Sequence, residues 1–571
     1  MLPFTALFGV LSLLASAQAA SKDDWRSRSV YQLLTDRFAP PMPGLKCNLG
    51  SYCGGNWRTI IDNLDYIEGL GFDSIWISPT GLGIEGPTKW GDNYHGYWGI
   101  DQFGINQHFG TAADLKALSA ALHDRGMLLM VDLAVNHIAS TNTDISDSAL
   151  ASKSDGKLLF KKESEYHPVC KINYDDKKSV EQCWMAQDGV ALMDLKTESA
   201  AVADVLKSGF AAYLEEYGID GARIDAAKHM DKQFLHDFCE AGNTFCIGEV
   251  LEQNTGGPAA YTQGDNGIDS VFGFGMTKGA VEVFAKDKPM STLARFAKEA
   301  LTAYADPTVI GAVLDNHDLP RFNSLASDKS NVYNAMALQF LFGGIPTMYY
   351  GLEQNMTGEE DPQNRQALWL NGELKTDGES YQRIKRLNLV RKKMGELGGF
   401  HEVLASQVAV QDDDIAFERN GGLLVLTKRG EGQGGEWTVS EAGFSASAKV
   451  VDLLSCTTAT AGADGSLKIT FKNGFPSFYV TSEIAGQTGI CGGSKEADTA
   501  PASSSASASS TFSASSDAST SIAGSATSSS AQLNAPDLIA SEVGSTGSSA
   551  TAVPATTTFT SSASASSALT D

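Results

Sequence analysis

The chain has 571 residues and a formal net charge of −25, from 43 Lys and Arg against 68 Asp and Glu. This acidity excludes nucleic acid and anionic membrane surfaces as partners, because both are bound through basic patches. A neutral ligand is compatible with the charge, and the length predicts two or three domains with a large core.

The first element along the chain is a predicted signal peptide at residues 1–20, MLPFTALFGVLSLLASAQAA. It combines a short apolar stretch with the small-residue cleavage site Ala17-Gln18-Ala19. That stretch is too short to span a membrane, and no later segment is long and apolar enough to do so. We therefore expect a secreted protein without a transmembrane segment, and we expect it to be a monomer.

Short apolar runs alternate with amphipathic helical patterns between residues 21 and 399. The runs that we interpret as buried strands are SVYQLLTDRF, FDSIWISP, MLLMVDLAVNH, GARIDA, TFCIGEV, DSVFGF, VIGAVLDNHD and GIPTMYYG. Eight strands that alternate with helices predict an α/β fold of the (β/α)8, or TIM barrel, type. An insert at 138–192, after the third run, lacks this rhythm and is predicted to form a small domain.

The pattern changes twice more toward the carboxyl end. Segments such as GGLLVLTKR, AKVVDLLS and LKITFK predict a C-terminal antiparallel β-sandwich at 400–496. Residues 497–571 are rich in Ser, Thr and Ala and contain no Lys or Arg. Such a segment buries too little apolar surface to fold, so it predicts a disordered, O-glycosylated tail that is compatible with retention at the cell wall.

Eight cysteines in an exported chain predict disulfides rather than metal thiolates. Spacing alone leaves the connectivity open, and the local pairings that we favour are Cys47 with Cys53, Cys170 with Cys183, Cys239 with Cys246, and Cys456 with Cys491. The sequence Asn355-Met356-Thr357 predicts an N-glycosylation site at Asn355.

The run GARIDAAKH places a cation and a carboxylate two residues apart in a predicted strand. Side chains alternate along a strand, so Arg223 and Asp225 share one face while Ala222 and Ile224 share the other. An adjacent cation favours the ionised form of Asp225, as a nucleophile requires. On this segment alone, a purely structural ion pair explains the pattern equally well.

Polar residues also follow other predicted barrel strands. His137 ends the third run, Glu249 the fifth, and Asp318 the seventh. Because the carboxyl ends of barrel strands form the catalytic face, this grouping favours an active site over scattered structural charges. Three converging carboxyl groups suit glycosidic bond cleavage, with Glu249, after the apolar run FCIG, as the proton donor of raised pKa and Asp225 as the nucleophile.

The stretches GARIDAAKH, VDLAVNH, GEV and LDNHD resemble the four signature stretches of the α-amylase family of glycoside hydrolases. DWRSRSVYQLLTDRF and CGGNWRTIIDNLDYIEGLGF resemble secreted fungal α-amylases of the Taka-amylase type. The similarity covers residues 24–491 and implies an endo-acting, retaining hydrolase of internal α-1,4 bonds in starch, glycogen and maltooligosaccharides. It implies Asp225 as nucleophile, Glu249 as general acid/base and Asp318 as the third carboxylate.

The resemblance also implies a set of glucan-binding residues and a Ca²⁺ site. The predicted substrate-binding residues are His95, Tyr97, Trp98, His137, Arg223 and His317 around the cleaved bond, Lys228 and His229 on the acceptor side, and Asp361 and Arg365 on the donor side. The predicted calcium ligands are the side chains of Asn136 and Asp194 and the carbonyls of Glu181 and His229, a hard-oxygen set.

Two other functions remain alternatives. Some relatives with Ser/Thr-rich tails are cell-wall 4-α-glucanotransferases, which we associate with loss of one or both sugar-binding histidines, whereas His137 and His317 are present here. A non-catalytic glucan-binding protein is expected to lack Asp225, Glu249 or Asp318, and all three are present. Hydrolysis is therefore the favoured function.

Overall fold

The computed structural model describes residues 20–372 and 374–492. The predicted signal peptide, apart from Ala20, and the predicted tail lie outside the described residues. The strands of the first part are β1 Val30–Leu33, β2 Ser74–Ile77, β3 Leu82–Gly83, β4 Gly99–Asp101, β5 Leu128–Leu133, β6 His137–Ser140, β7 Ala191–Asp194, β8 Gly221–Ile224, β9 Phe245–Gly248, β10 Ser270–Val271, β11 Gly311–Ala312 and β12 Ile345–Tyr349.

Eight of these strands form one parallel sheet in the order β10-β9-β8-β5-β2-β1-β12-β11. A parallel bridge between Phe272, after β10, and Gly311, in β11, joins the two ends and nearly closes the barrel. Most strand residues are buried on both faces, which explains why these strands read as continuous apolar runs. The predicted (β/α)8 barrel is therefore confirmed.

Helices follow most of the barrel strands and cover its outer face. The α-helices are α1 Lys22–Arg26, α2 Thr35–Phe38, α3 Trp57–Ile61, α4 Leu64–Gly69, α5 Ala112–His123, α6 Asp147–Ser152, α7 Lys177–Gln182, α8 Ala200–Tyr217, α9 Lys232–Gly242, α10 Gly256–Ala259, α11 Phe274–Ala280, α12 Met290–Ala303, α13 Phe322–Leu325, α14 Lys329–Leu341, α15 Glu379–Glu396 and α16 Ser482–Thr488. Helix α5 begins at a capping box formed by Thr111 and Asp114. Helix α8 ends at Gly218, whose φ of 63° is left-handed and suits glycine.

The segment between β5 and α8 leaves the barrel as an insert. Its strands β6 and β7 pair antiparallel, with His137 opposite Asp194, and it contains the Cys170–Cys183 disulfide. The other three predicted cysteine pairs, Cys47–Cys53, Cys239–Cys246 and Cys456–Cys491, are also bonded. Because β6 begins at His137, only four positions after β5 ends at Leu133, the insert is joined directly to the catalytic face.

The C-terminal part is antiparallel, as predicted. Its strands are β13 Ser406–Val410, β14 Asp414–Arg419, β15 Gly422–Thr427, β16 Gly435–Val439, β17 Lys449–Asp452, β18 Thr458–Thr460, β19 Leu467–Phe471 and β20 Ser477–Thr481. A six-stranded sheet, β13-β14-β15-β20-β17-β18, and the β16–β19 pair enclose a shared apolar cluster that includes Val425, Val450 and Ile469. Buried Arg419 joins this domain to the barrel by donating to the carbonyl of Leu341 over 2.8 Å.

No helix among the described residues is long and apolar enough to cross a membrane.

Candidate active site

Arg223, near the end of β8, contacts carboxyl groups from three neighbouring strand ends. Its Nη1 lies 2.9 Å from Oδ1 of Asp132 and 2.7 Å from Oδ1 of Asp225. Its Nη2 lies 2.7 Å from Oε1 of Glu249, as an ion-pair contact. We call Asp132, Arg223, Asp225 and Glu249 the Arg223 cluster. One guanidinium therefore holds the two predicted catalytic carboxyls side by side.

The local sequence explains this placement. Ala222 and Ile224 join the apolar core outside the barrel, so Arg223 and Asp225 face its interior, as strand alternation predicts. The chain then turns sharply at Ala226, which has a left-handed φ of 51°. This turn directs the Ala226 N–H to Oε2 of Glu249 over 3.2 Å. Strand β8 thus positions both Asp225 and Glu249.

The carboxyl groups of the Arg223 cluster outnumber their cation. Burial raises the pKa of Glu249 to about 7, and Arg223 only partly opposes it. Burial likewise raises the pKa of Asp132 to about 7. The predicted rise for Glu249 is confirmed. Arg223 lowers the pKa of Asp225, as predicted, but burial outweighs this effect and the net pKa lies above the ordinary value.

Asp318 has the opposite environment. His317 Nε2 lies 3.0 Å from Oδ2 of Asp318, and Arg365 Nη2 lies 2.9 Å from Oδ1. Although burial opposes them, these contacts hold the pKa of Asp318 well below its ordinary range. Arg365 also lies 3.2 Å from Oδ2 of Asp361. We call His317, Asp318, Asp361 and Arg365 the Asp318 cluster, and its central carboxylate is ionised.

The predicted aromatic and histidine residues pack together beside the carboxyl groups. The ring of Tyr97 stacks on that of His317 at 4.8 Å and 11°. His95 Nδ1 accepts from the Tyr97 N–H at 3.0 Å, and Trp98 packs edge-on against His95. Burial lowers the pKa values of His95 and His317, and it lowers the pKa of His137 to about 4, so these imidazoles are neutral.

His137 has one ring nitrogen left over. Its Nε2 donates to the Tyr97 carbonyl at 3.1 Å. Its Nδ1 is buried and finds no hydrogen-bond partner within the part of the chain that the structure describes. A buried polar atom without a partner is costly, so this nitrogen is available to a ligand hydroxyl.

The predicted acceptor-side residues lie next to Glu249 rather than in contact with its carboxyl group. The Lys228 N–H donates to the Glu249 carbonyl at 3.3 Å, and Lys228 Nζ lies 3.0 Å from Glu252 and 5.1 Å from the ring centre of Tyr174. His229 directs Nδ1 to the Val180 carbonyl of the insert, at 3.0 Å. The imidazole of His229 is thus occupied by a structural contact.

The predicted donor-side residues Asp361 and Arg365 lie beside Asp318 in the structure. Two further residues, Tyr94 and Arg37, lie next to them. Tyr94 donates its hydroxyl to Oδ1 of Asp361 at 2.6 Å. The guanidinium of Arg37 lies 3.7 Å from the ring centre of Tyr94. These long-range contacts, across more than 260 positions for Tyr94 and Asp361, give no signal in local sequence.

Asp132 is a site residue that the sequence did not lead us to predict. It is fully buried and accepts from Trp76 Nε1 at 3.0 Å and from the Tyr97 hydroxyl at 2.8 Å, in addition to Arg223. The available signal was a carboxylate inside the apolar run MLLMVDL, since a charge in a buried strand requires partners. Tyr174 was also missed; its ring is 44% exposed.

Two of the predicted calcium ligands, Asn136 and Asp194, contact each other. Asn136 Nδ2 donates to Oδ1 of Asp194 at 3.2 Å, and His167 Nδ1 lies 2.6 Å from Oδ2 of Asp194. Burial raises the pKa of Asp194 to about 7. Burial lowers the pKa of His167, but its acidic partners Asp194 and Glu198 outweigh this effect and raise that pKa to about 9. Among residues 20–372 and 374–492, no group of three or more His, Cys, Asp and Glu side chains is arranged to hold a metal ion. The structure therefore shows no metal site as such.

A nearly closed (β/α)8 barrel with an acid of raised pKa, a neighbouring carboxylate and a third, ionised carboxylate suits glycoside hydrolysis. Comparison with known families agrees: the alpha amylase catalytic domain matches residues 32–414, and alpha-amylase domain C matches residues 406–499. The chain belongs to the alpha-amylase family of glycoside hydrolases.

Similar proteins include two alpha-amylases and one solved alpha-amylase structure. The chain is 36% identical to an alpha-amylase of Saccharomycopsis fibuligera over 84% of this chain and 98% of that protein. It is 36% identical to alpha-amylase 1 of Schwanniomyces occidentalis over 83% and 93% of the two chains. The alpha-amylase structure from Malbranchea cinnamomea has a TM-score of 0.78 and 37% identity, over 83% of this chain and all (100%) of that one.

Proposed function

We propose that the protein is an endo-acting, retaining α-amylase that hydrolyses internal α-1,4 bonds of starch, glycogen and maltooligosaccharides. The observation that carries this proposal is the contact of one guanidinium, Arg223, with both Asp225 and Glu249. This contact holds the two carboxyls on one guanidinium, in keeping with the short separation of about 5–5.5 Å in retaining glycosidases. An inverting enzyme needs a wider gap that accommodates a water molecule.

The two steps of the reaction follow from the protonation states. Glu249, protonated up to about pH 7, gives its proton to the glycosidic oxygen as Asp225 attacks the anomeric carbon. The C–O bond to the leaving glucan breaks and a glycosyl ester of Asp225 forms. Glu249, now ionised, removes a proton from water, which attacks the anomeric carbon and releases Asp225. The product keeps the anomeric configuration of the substrate.

The surrounding residues stabilise the positive charge that develops on the sugar ring. Ionised Asp318 supplies a compensating negative charge, while Arg365 and His317 hold it in place. Neutral His137 and His317 are suited to hydrogen bonds with sugar hydroxyls, and the unpartnered Nδ1 of His137 supports this role. His95, Tyr97 and Trp98 form the aromatic wall of the same subsite.

Two further groups of residues bind the glucan on either side of the cleaved bond. On the acceptor side, Lys228 lies beside Glu252 and the exposed ring of Tyr174, and the segment of Lys228 and His229 abuts Glu249. On the donor side, Asp361 and Arg365 adjoin Asp318. We place the catalytic machinery in the barrel, 21–399, and treat the sandwich at 400–496 as non-catalytic.

The test is the product profile from maltoheptaose over time, with Asp225→Asn as control. Hydrolysis predicts shorter maltooligosaccharides only, and an inactive variant. Products longer than the substrate would instead establish the cell-wall glucanotransferase. Binding of maltoheptaose without turnover in either protein would establish the glucan-binding protein.

We also propose that Asn136 and Asp194, with the carbonyls of Glu181 and His229, bind Ca²⁺. The donor set fits, since all are oxygens and Asp194 is a buried carboxylate. The side chain of Glu181 is paired, since its Oε1 lies 3.1 Å from Lys177 Nζ, so only its carbonyl is assigned to the ion. When bound, the ion would link the insert to the catalytic face through the segment of His229.

Calcium binding is tested by the melting temperature after chelation and after calcium addition. At about 100 times its Kd, a ligand specific to the native state stabilises it by about 2.7 kcal/mol. We expect Asp194→Asn to abolish the rise in Tm and Asp175→Asn, at an exposed position in the same insert, to retain it. An equal rise in both variants would refute the assignment.

We further propose an extracellular location, which the four disulfides support. Asn355 is exposed, as an N-glycan acceptor must be. Its glycan is tested by the mass change on enzymatic deglycosylation. Retention at the cell wall through the tail is tested by fractionation of cells that express the full chain.

A further inference from the structure

Two buried arginines lie where the C-terminal domain meets the barrel, at the end opposite the catalytic face. Arg391, in α15, donates from Nη2 to the carbonyls of Arg26 at 2.9 Å and Arg28 at 3.3 Å. Arg419, the last residue of β14, donates from Nη1 to the carbonyl of Leu341 at 2.8 Å. Because Arg26 and Arg28 precede β1 and Leu341 precedes β12, these contacts lie at the amino-terminal ends of the barrel strands. The mechanism proposed above uses neither arginine.

The charges of these two guanidiniums are poorly compensated. Each arginine is only 1% exposed, and within the part of the chain that the structure describes all their hydrogen bonds go to backbone carbonyls. Burial lowers the pKa of Arg391 to about 10, and Asp73 opposes this only in part. Burial and the charge of Arg391 lower the pKa of Arg419 well below its ordinary value, against the opposing effect of Glu402. Two like charges that are buried together are costly without a counter-ion.

Three nitrogen atoms in this region have no hydrogen-bond partner among residues 20–372 and 374–492. They are Nε and Nη1 of Arg391 and Nδ1 of His401, and all three are buried. The His401 ring packs on α15, where a Cβ at Gly395 would clash with Nε2, and Gly395 lies one helical turn after Arg391 on the same face. Burial, Arg391 and Arg419 lower the pKa of His401 to about 3, so its imidazole is neutral and can carry its proton on Nδ1. We call Arg391, His401 and Arg419 the Arg391 cluster.

We infer that the Arg391 cluster binds a small monovalent inorganic anion with the chemistry of a halide. The N–H groups of Arg391 Nε, Arg391 Nη1 and His401 Nδ1 donate to the ion, and Arg419 adds its positive charge. A water molecule accepts such hydrogen bonds but leaves both cations uncompensated, whereas an anion satisfies the donors and the charges together. His401 is the partly exposed member of the cluster, so its ring lies between the ion and solvent.

The position of the cluster indicates an effect on stability rather than on catalysis. It joins three parts of the chain: the segment before β1, helix α15 and the C-terminal domain. An ion that binds only the folded state raises the melting temperature along a saturating curve. The inference does not depend on the proposed activity.

The test is the melting temperature of the full-length protein in sodium chloride and in sodium gluconate at equal ionic strength, with calcium held constant. Gluconate supplies the ionic strength but is too bulky for a buried site of this kind. We expect chloride to raise the Tm by about 2–4 °C above its value in gluconate. Arg391→Met keeps an aliphatic stem but removes the donors and the charge, so it should abolish this increment. Arg383→Met, at a partly exposed position of the same helix, should retain it.

His401→Phe is the second variant, and it decides the question if Arg391→Met does not fold. It keeps an aromatic ring and removes the Nδ1 donor, so the chloride concentration that gives half of the Tm increment should rise about tenfold. In crystals grown with bromide, the anomalous signal should lie beside Nε and Nη1 of Arg391.

Four results would overturn the inference: no Tm increment over gluconate, an increment that persists in Arg391→Met, an unchanged half-point in His401→Phe, or bromide at other positions only. Because none of these measurements involves turnover, each result leaves the proposed activity untouched. Conversely, a failure to cleave maltoheptaose would leave the anion site standing.

Discussion

The two carboxyl clusters lie close enough for Asp318 to raise the pKa of Asp225, yet they differ in how many basic or hydrogen-bonding partners each carboxyl has. In the Arg223 cluster, three carboxyls share one guanidinium, and the pKa values of Asp132 and Glu249 rise to about 7. In the Asp318 cluster, Asp318 contacts both His317 and Arg365, and its pKa is held well below the ordinary range. Asp132 and Glu249 of the first cluster therefore stay protonated up to about pH 7, whereas Asp318 of the second cluster stays ionised.

This difference shows how buried carboxyls acquire separate roles. All of them lose hydration, which raises their pKa values, so the number of nearby cations decides which of them is protonated. Glu249 can act as a proton donor near neutral pH because Arg223 is shared, and Asp318 can stabilise positive charge because Arg365 is close. Single substitutions can change the cations or the carboxyls of one cluster at a time.

We expect the largest loss of activity when residue 249 can no longer donate a proton. Glu249→Gln keeps the shape of the side chain but cannot donate a proton, so kcat on maltoheptaose should fall by about 10³-fold. A p-nitrophenyl maltooligoside needs less protonation of its leaving group, so the loss in its first step should be smaller. The measurement is single-turnover kinetics on both substrates.

Glu353→Gln is the matched control for that prediction. Glu353 is also buried and accepts hydrogen bonds from Tyr31 at 2.7 Å and Tyr66 at 2.9 Å. The Glu353→Gln substitution is expected to lower the melting temperature without changing the ratio of the rates on the two substrates. An equal loss on both substrates with Glu249→Gln would contradict its role as the acid.

The next largest effect concerns the shared cation. Arg223→Lys keeps the charge but cannot contact Asp132, Asp225 and Glu249 together, because an ammonium lacks the planar fork. We expect kcat to fall about 10²-fold, from displaced catalytic carboxyls. Steady-state kinetics with circular dichroism as a folding check measures this. Activity within twofold of the unmodified protein would show that charge alone is needed.

Sequence alone predicted the barrel strands and the catalytic carboxyls because these depend on local patterns. Arg223 and Asp225 follow from strand alternation, and Glu249 and Asp318 from their places at strand ends. The sharing of Arg223 among three carboxyls was not predictable, since Asp132 lies 91 positions away from Arg223 along the chain. For the same reason, the pKa of Asp225 was predicted from one neighbour, whereas burial determines it.

The second cluster should respond less strongly than the first. Arg365→Lys retains a cation near Asp318 but loses the simultaneous contacts with Asp361 and the His317 carbonyl. One lost hydrogen bond to a charged group costs about 1.5–3 kcal/mol, so kcat/KM should fall by about ten- to a hundredfold. The pH profile should keep its alkaline limb, because Glu249 is not in this cluster. A limb that moves by a full pH unit would contradict the separation of the clusters.

The smallest effect on rate, and the clearest on pH, is expected for Asp132→Asn. From about pH 7 upward, where Asp132 is ionised, it neutralises part of the charge of Arg223, so its removal leaves more positive charge for Asp225 and Glu249 there. Positive charge favours their ionised forms and lowers both pKa values, and Glu249 then loses its proton at lower pH. The alkaline limb of kcat/KM, expected near pH 7 in the unmodified protein, should therefore move to lower pH by about one unit.

The rate of Asp132→Asn at its new optimum separates this electrostatic role from a positional one. Asp132 also accepts from Trp76 and Tyr97, and an amide can replace only part of these contacts, so a loss of about fivefold is expected at the optimum. Asp452→Asn, a buried carboxylate of the C-terminal domain, should lower stability and leave the limb in place. A limb that stays at pH 7 while the rate falls would mean that Asp132 only positions Arg223 and Tyr97. A limb that moves to lower pH would mean that the pKa of Glu249 depends on Asp132, a carboxylate that we do not place in contact with the substrate.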